Sequence, residues 1–240
     1  MLALTLPRAI TLDLDDTLWP VGPTLVAAEK TLNEWLHAHA PRTGSTLTPD
    51  SRASLRKAVV ADHPDQSHDL GFMRREVLRR AMALAGDDTA LADQAYAVFL
   101  AARQRVEFFD DVLPVLERWS SRYRLVAISN GNADLERVGL GRFFAGAISA
   151  HEVGFAKPDP RMFHEACRLA GVDHTEVLHI GDDPHLDVIA ARKAGLQAAW
   201  IRRPMFAHRH AADACGPDAG APFDDLQAID AALHSAESPR

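Results

Sequence analysis

Ala9-Ile10-Thr11-Leu12-Asp13-Leu14-Asp15-Asp16-Thr17-Leu18 is the stretch on which the fold turns. Its first four residues form a short apolar run of the kind that makes a buried strand. Asp13 and Asp15 stand at i and i+2, so on an extended chain they project to the same side. Carboxylates that close repel each other unless a cation or a proton lies between them. The stretch therefore reads either as a strand closed by an Asx turn or as a strand end carrying a two-carboxylate site.

Working outward, the pattern after Trp19-Pro20 turns helical and stays so up to Val106. Leu25, Ala28, Leu32, Trp35 and Leu36 recur at helical spacing within Leu25 to His39. Thr48-Pro49 reads as an N-cap followed by proline at the first helical position. Phe72 to Leu84 and Ala90 to Val106 are two more amphipathic helices. From Asp110 the texture changes. A helix, Val112 to Trp119, precedes Leu125-Val126-Ala127-Ile128, and later β-runs fall at Gly146 to Ile148, Val177 to Ile180 and Ala198 to Ile201. Helices at Arg161 to Ala170 and His185 to Ala194 alternate with them, the signature of parallel βαβ units.

A parallel crossover needs only about a dozen residues, and the interval from Thr17 to Leu125 is far longer. The expected architecture is an α/β, Rossmann-like, doubly wound parallel sheet with an all-helical subdomain inserted after its first strand. The core would be 1-18 and 110-240, and the insertion 19-109. A loop rich in Gly, Pro, Ala and Asp, Ala211 to Ala221, leads to a last helix around Asp224 to Leu233.

The 240 residues are 47% hydrophobic and 25% charged, with a formal net charge of −7. No basic stripe is evident, which argues against nucleic acid. Arg202-Arg203 and His208-Arg209-His210 read as solvated loop. No apolar run reaches the roughly 18 residues that span a bilayer, and the N-terminus lacks the order of a signal peptide. The two cysteines, Cys167 and Cys215, have no partner at metal-ligand spacing, as expected of free thiols in a reducing cytoplasm. A monomer and a homodimer both remain open.

Four further groups bear chemistry. Ser129-Asn130-Gly131-Asn132 follows a β-run. If it enters a helix, it offers backbone N–H groups beside a hydroxyl, an anion site; otherwise it is a polar turn. Lys157 precedes Pro158, which biases it toward extended backbone, and Asp159 with Pro160 can open a helix. A lone loop lysine is ordinarily solvated. Asp183, before Pro184, is explained first as an N-cap. Asp182 is less well explained that way. Asp187, one turn on, favours the helix dipole and lies on the side of the loop.

These groups come from the ends of different parallel strands or the loops beside them, the edge where open α/β sheets bind ligands. Collected there, they have one chemical reading. Asp13 and Asp182 hold a hard divalent cation such as Mg²⁺ through oxygen. Lys157 and Ser129 neutralise and orient a phosphate. Asp13 attacks phosphorus, while Asp15 serves as acid and then base.

With that, the chain resembles the haloacid dehalogenase-like hydrolases, a superfamily mostly of phosphatases. The motifs appear in order: Asp13-x-Asp15-x-Thr17, Ser129, Lys157, and Gly181-Asp182 with Asp187. The resemblance implies that Asp13 becomes an aspartyl-phosphate and that Asp15 protonates the leaving oxygen while its backbone carbonyl binds Mg²⁺. It implies phosphate contacts from Ser129, Asn130 and Lys157, supported by Thr17, Asp183 and Asp187, and it places the helical insertion where the family carries its C1 cap. Asp15 speaks against the dehalogenase branch, which lacks an acid there and needs no metal.

Within the family, "LDLDDTLWP" from Leu12, "VAISNGNADLERVGLGRFF" from Val126, "VLHIGDDPHLDV" from Val177 and "AAWIRRP" from Ala198 resemble bacterial phosphatases of FMN and of the ribitylaminouracil phosphate of riboflavin synthesis. The cap segment "HDLGFMRR" from His68 has a similar look. The resemblance implies a small phosphorylated metabolite as substrate. Phosphatases of sugar or nucleotide phosphates, a phosphotransferase or mutase using the same intermediate, and a catalytically silent relative are the alternatives. Arg74, near the start of a cap helix, is either solvated or a contact for the leaving group. Trp19 can stack on a flat substrate ring.

Overall fold

The computed structural model describes residues 5–206 and 219–237. Cys215 and His208-Arg209-His210 lie outside the described residues. Contacts divide the chain into two units, one running to Pro20 and resuming at Glu107, the other Val21–Val106. The insertion is thus two to three residues tighter at each end than the sequence pattern suggested.

β1 (Ala9–Leu12) is buried throughout. The inserted unit is all α: α1 (Val21–His39), α2 (Pro41–Thr46), α3 (Pro49–Asp62), α4 (Leu70–Ala85) and α5 (Ala92–Arg103). Thr48 caps α3 by accepting from the Ser51 N–H, as Thr-Pro at a helix start should. Asp69 caps α4 in the same way through Phe72, and Gly86, at φ +77°, closes it in the left-handed conformation that glycine adopts without steric cost. Leu32 and Leu36 of α1, Leu78 and Met82 of α4 and Phe99 of α5 share one buried cluster. Their helical spacing in sequence is what puts them on one stripe of each helix.

The other unit continues with α6 (Val112–Ser120), β2 (Arg124–Ser129), β3 (Gly146–Ser149), α7 (Ala150–Val153), α8 (Pro160–Ala170), β4 (Val177–Gly181), α9 (Ala190–Lys193), β5 (Gln197–Trp200) and α10 (Leu226–Glu237). The five strands are parallel in the order β3-β2-β1-β4-β5. Ala9, Val126, Val177 and Ala198 cluster with Met162 and Phe163 of α8 and Ala191 of α9. α6 packs on β2 and against α10, whose Asp230 accepts from the buried Trp119 indole at 2.7 Å. Because the strands are parallel, all five end at the same edge of the sheet, the edge where Asp13 follows β1.

Of the two readings of the segment after Ser129, the polar turn is the one observed: residues 131–140 form a bend and turns, in which Asp134 accepts from the Glu136 and Arg137 N–H groups. Side-chain capping by Asp134 and the left-handed Gly139, at φ +85°, close the chain after little more than one turn. The segment after Asp183 is a π-helical turn, Pro184–Ile189, before α9 proper. Insertion of a π-turn rotates Asp187 relative to an α-helix, with consequences for the site.

Candidate active site

The carboxyl edge of the sheet carries the predicted groups. The Asp13 N–H donates to the Ile180 carbonyl at 2.9 Å, locking the end of β1 to β4. Asp16 follows at φ +59°, a left-handed conformation that Asp tolerates better than most residues. The reversal is completed when the Asp16 N–H donates to the Trp19 carbonyl. So Asp13-Leu14-Asp15 leaves the strand and is bent back within seven residues of its start.

Lys157 is the centre of the charge arrangement. Its Nζ donates to Asp13 Oδ1 at 2.5 Å and to Asp187 Oδ1 at 2.6 Å, and its side chain is 3% exposed. It is therefore no solvated loop lysine. The Asn130 side chain holds its backbone from both sides, Nδ2 donating to the Lys157 carbonyl at 3.0 Å and Oδ1 accepting from the Lys157 N–H at 2.8 Å. The Asn130 side-chain amide thus braces Lys157, a contact the sequence did not suggest. Ser129, 4% exposed, accepts from the Gly131 N–H, and its own hydroxyl hydrogen stays available as a donor.

Asp187 accepts at every side. Oδ1 receives Lys157 and His179, and Oδ2 receives the Asp183 N–H at 3.0 Å. Gly181 makes this possible, because a Cβ there would lie 2.3 Å from the Asp187 Cγ. Asp183 is the N-cap, accepting from His185 and Leu186. Thr17 Oγ1 donates to Asp182 Oδ1 at 3.3 Å.

Burial lifts the Asp13 carboxyl to about 7 against the pull of Lys157. Burial, then the negative charge of Asp13, raises Asp182 well above the carboxylate range. For Asp187 burial acts upward too, but Lys157 and His179 overcome it and hold the group far below that range. Burial opposes the charge of Lys157, which Asp13 and Asp187 outweigh, so the ammonium is held more firmly than usual.

Oxygen atoms of Asp13, Asp182 and Asp187 lie within 4.8 Å of one another. These donors fit a hard cation: all are carboxylate oxygens, and one lysine does not balance three carboxylates. Asp187 already accepts three hydrogen bonds and lies far below the carboxylate range, whereas Asp13 and Asp182 are the two carboxylates raised above it. A hard cation at their side would offset both the burial and the repulsion that raise them.

Three contributors were not foreseen. His179, fully buried in β4, bridges Thr11 Oγ1 at 2.9 Å and Asp187 at 3.2 Å; burial lowers its pKa and favours the neutral ring. A histidine inside an apolar strand run was the available signal. Arg203 corrects the reading of Arg202-Arg203 as solvated loop. It is 4% exposed, donates twice to the Thr17 carbonyl, at 2.7 and 3.1 Å, and pairs with both oxygens of Asp111 at 2.8 Å. Asp111 also accepts from the Leu226 N–H that begins α10. Nothing in the sequence marks that pairing across so many residues.

The substrate contacts expected of Trp19 and Arg74 fare differently. Trp19 is fully buried and edge-on to Phe108, so no face is open for a ligand ring to stack on; that expectation is corrected. Arg74 is half-buried, its side chain 25% exposed. Within the helical unit it donates to Glu29 at 2.5 Å, its guanidinium lies 3.5 Å above the Phe99 ring, and burial lowers its pKa to about 10. Arg52 shares the same Glu29.

At the carboxyl edge of the sheet, then, one carboxylate is paired to a buried lysine beside two further carboxylates. Residues 7–195 match the haloacid dehalogenase-like hydrolases, and the chain belongs to that family as one of its phosphatases. It is 34% identical over 198 residues to the Escherichia coli K12 5-amino-6-(5-phospho-D-ribitylamino)uracil phosphatase YigB, covering 81% of this chain and 83% of that one. Phosphoserine phosphatase of Thermus thermophilus is 34% identical over 141 residues, 56% of this chain and 57% of its own. A crystal structure described as 2-haloacid dehalogenase from Pseudomonas syringae pv. tomato DC3000 superposes with a TM-score of 0.87 at 36% identity, covering 96% of this chain and 99% of that one. Among the described residues no helix is long and apolar enough to cross a membrane.

Proposed function

We propose that the protein is a Mg²⁺-dependent phosphomonoesterase that works through an aspartyl-phosphate on Asp13, with ribitylaminouracil phosphate or FMN as its substrate. The observation that carries the chemistry is Lys157 Nζ at 2.5 Å from Asp13 Oδ1. It fixes one carboxylate oxygen and favours the anion against the burial that opposes it. Asp13, Asp182 and the Asp15 carbonyl would hold the Mg²⁺, which supplies charge neutralisation for a phosphate dianion.

The chain's own residues do the rest. Asp13 attacks phosphorus as the bond from phosphorus to the leaving oxygen breaks, and Asp15 gives that oxygen a proton. Asp15 then takes a proton from water as it attacks the phosphoryl group, which restores Asp13. Ser129 and Lys157 donate to phosphate oxygens as charge builds on them. Asp187 and His179 keep Lys157 pointed at the site.

The flavin-pathway assignment is supported by the relative that matches 81% of the chain and carries a ribitylaminouracil phosphate activity in its name. The dehalogenase named for the Pseudomonas syringae structure gives a second reading. Asp15 favours phosphatase over it, because halide needs no protonation to leave and a phosphate ester's oxygen does. The test is phosphate release from FMN, ribitylaminouracil phosphate, phosphoserine, sugar phosphates and p-nitrophenyl phosphate, with and without Mg²⁺. Halide release from 2-chloropropionate in EDTA runs beside it. Preference for phosphoserine or sugar phosphates over both flavin-pathway compounds overturns the substrate. Halide release without phosphate release overturns the reaction.

A further inference from the structure

Trp19 has an unexplained contact. Its indole Nε1–H donates to Asp15 Oδ1 at 2.8 Å, although the ring was expected to meet substrate. Both residues belong to one tight reversal. The Asp16 N–H donates to the Trp19 carbonyl at 2.8 Å, the Leu18 N–H to the Leu14 carbonyl at 2.8 Å, and Asp15 and Trp19 form an isolated parallel bridge. The left-handed Asp16 turns the chain so that residue 19 returns beside residue 15.

The indole itself cannot drift. It is fully buried, and Phe108 packs edge-on at 5.9 Å and 61°. The next anchors are backbone: the Phe109 N–H donates to the Leu18 carbonyl at 3.1 Å, and Arg203 holds the Thr17 carbonyl. A buried indole nearly always finds an acceptor for its N–H. Here the acceptor is the group assigned above as acid and base, not a backbone carbonyl.

We propose that Trp19 is a positioning residue for the acid–base step: its N–H fixes the rotamer of the Asp15 carboxyl and directs the transferable proton to Oδ2. This rests on the assignment of Asp15 under the proposed function. A carboxyl has a soft terminal torsion, so an Asp15 that lost the Trp19 donor would sample more orientations in which the proton misses the leaving oxygen. An indole donor at 2.8 Å is directional enough to select one of them. When the bond from phosphorus to the leaving oxygen breaks, the Oδ2 proton passes to that oxygen. The resulting carboxylate is oriented, still by Trp19, to accept a proton from water in the second half-reaction. The indole N–H is neither gained nor lost.

The role has a consequence that ordinary structural support lacks. Proton donation matters for an alkoxide leaving group and hardly at all for p-nitrophenolate, which departs as a stable anion. Trp19→Phe keeps an aromatic ring in the buried slot and deletes the donor. Its kcat/KM, which reports steps up to phosphoryl transfer, should fall about tenfold on glycerol 2-phosphate, equivalent to about 1.4 kcal/mol, and less than twofold on p-nitrophenyl phosphate. An equal fall on both, or no fall on either, overturns the proposal. A second measurement does not depend on that variant folding. In uniformly ¹⁵N-labelled full-length protein, one of the four indole N–H resonances should move upfield on Asp15→Asn, as the carboxylate acceptor becomes an amide. Four unmoved resonances overturn the contact. If wild type releases no phosphate from either ester while the resonance does move, it is the function of Asp15 that fails, and the contact stands.

Discussion

Replacing Lys157 by Met should uncover how strongly the site's carboxylates repel. The variant keeps an unbranched stem of similar length in a pocket where the side chain is 3% exposed, and deletes only the charge. Asp13 and Asp187, both within 2.6 Å of that ammonium, then face each other and Asp182 without a cation. Breaking a buried pair by removing one partner costs about 3–5 kcal/mol. For a chain of this size each kcal/mol lowers Tm by about 2–4 °C, so a loss of roughly 6–20 °C is expected at neutral pH.

The pH dependence gives the sharper test. Asp187 is held below its ordinary pKa, a contribution present above about pH 4 and lost only as pH falls through its folded value. Lys157 is held above its ordinary value, a contribution present below about pH 10. Asp13, lifted to about 7, works in the opposite sense, since its folded form binds the proton more tightly and stability declines as pH rises from about 4 to 7. In Lys157→Met the lysine's contribution vanishes, that of Asp187 shrinks to what His179 supplies, and the carboxylates rise further. Protonation relieves the variant more fully at pH 5 than at pH 8, so its deficit against wild type should widen between them. Thermal melts in EDTA at both pH values, followed by tryptophan fluorescence, measure this. A deficit larger at pH 5 than at pH 8, or none at pH 8, refutes the reasoning.

Asp13→Asn should abolish turnover and acid-stable phosphoryl-enzyme together with little change in Tm; Asp15→Asn should be milder, since general acid–base catalysis is worth about 10²–10⁴. Steady activity in pure Asp13→Asn protein contradicts a covalent route. Excess EDTA should stop phosphate release, Mg²⁺ should restore it and Ca²⁺ should do so poorly, because Ca²⁺ takes more oxygens at longer distance and can draw both Asp13 oxygens to itself; titrations of activity against each ion check this, and Asp182→Ala should raise the Mg²⁺ needed. Gly181→Ala should displace Asp187, whose Cγ would lie 2.3 Å from the new Cβ. Overpacking of that kind costs about 1–3 kcal/mol; urea titration measures it, and a wild-type midpoint with unchanged kcat would show that the approach is not tight.

The sequence by itself determined the sheet and the order of its chemistry. Each strand announced itself as a short apolar run, because a parallel strand covered on both faces has no polar alternation. The acids, hydroxyl and lysine stood directly after those runs, and parallel strands bring all such ends to one edge. The long helical interval could only be an insertion. These are local or topological facts, readable from neighbours in the chain.

Tertiary structure decided what each side chain faces. Asn130 and Lys157 are 27 residues apart, and only the approach of their loops makes one the brace of the other. Arg203 is 186 residues from the Thr17 carbonyl it holds, so its sequence context, a basic pair before proline, suggested solvent. Trp19 looked like a ligand platform because aromatic residues beside catalytic loops are free to be one. The left-handed Asp16, unmarked by any glycine, turned the indole inward instead and gave its N–H to Asp15. Pattern fixes which face of an element is buried; the partner of a polar atom depends on distances between elements, which no local spacing encodes.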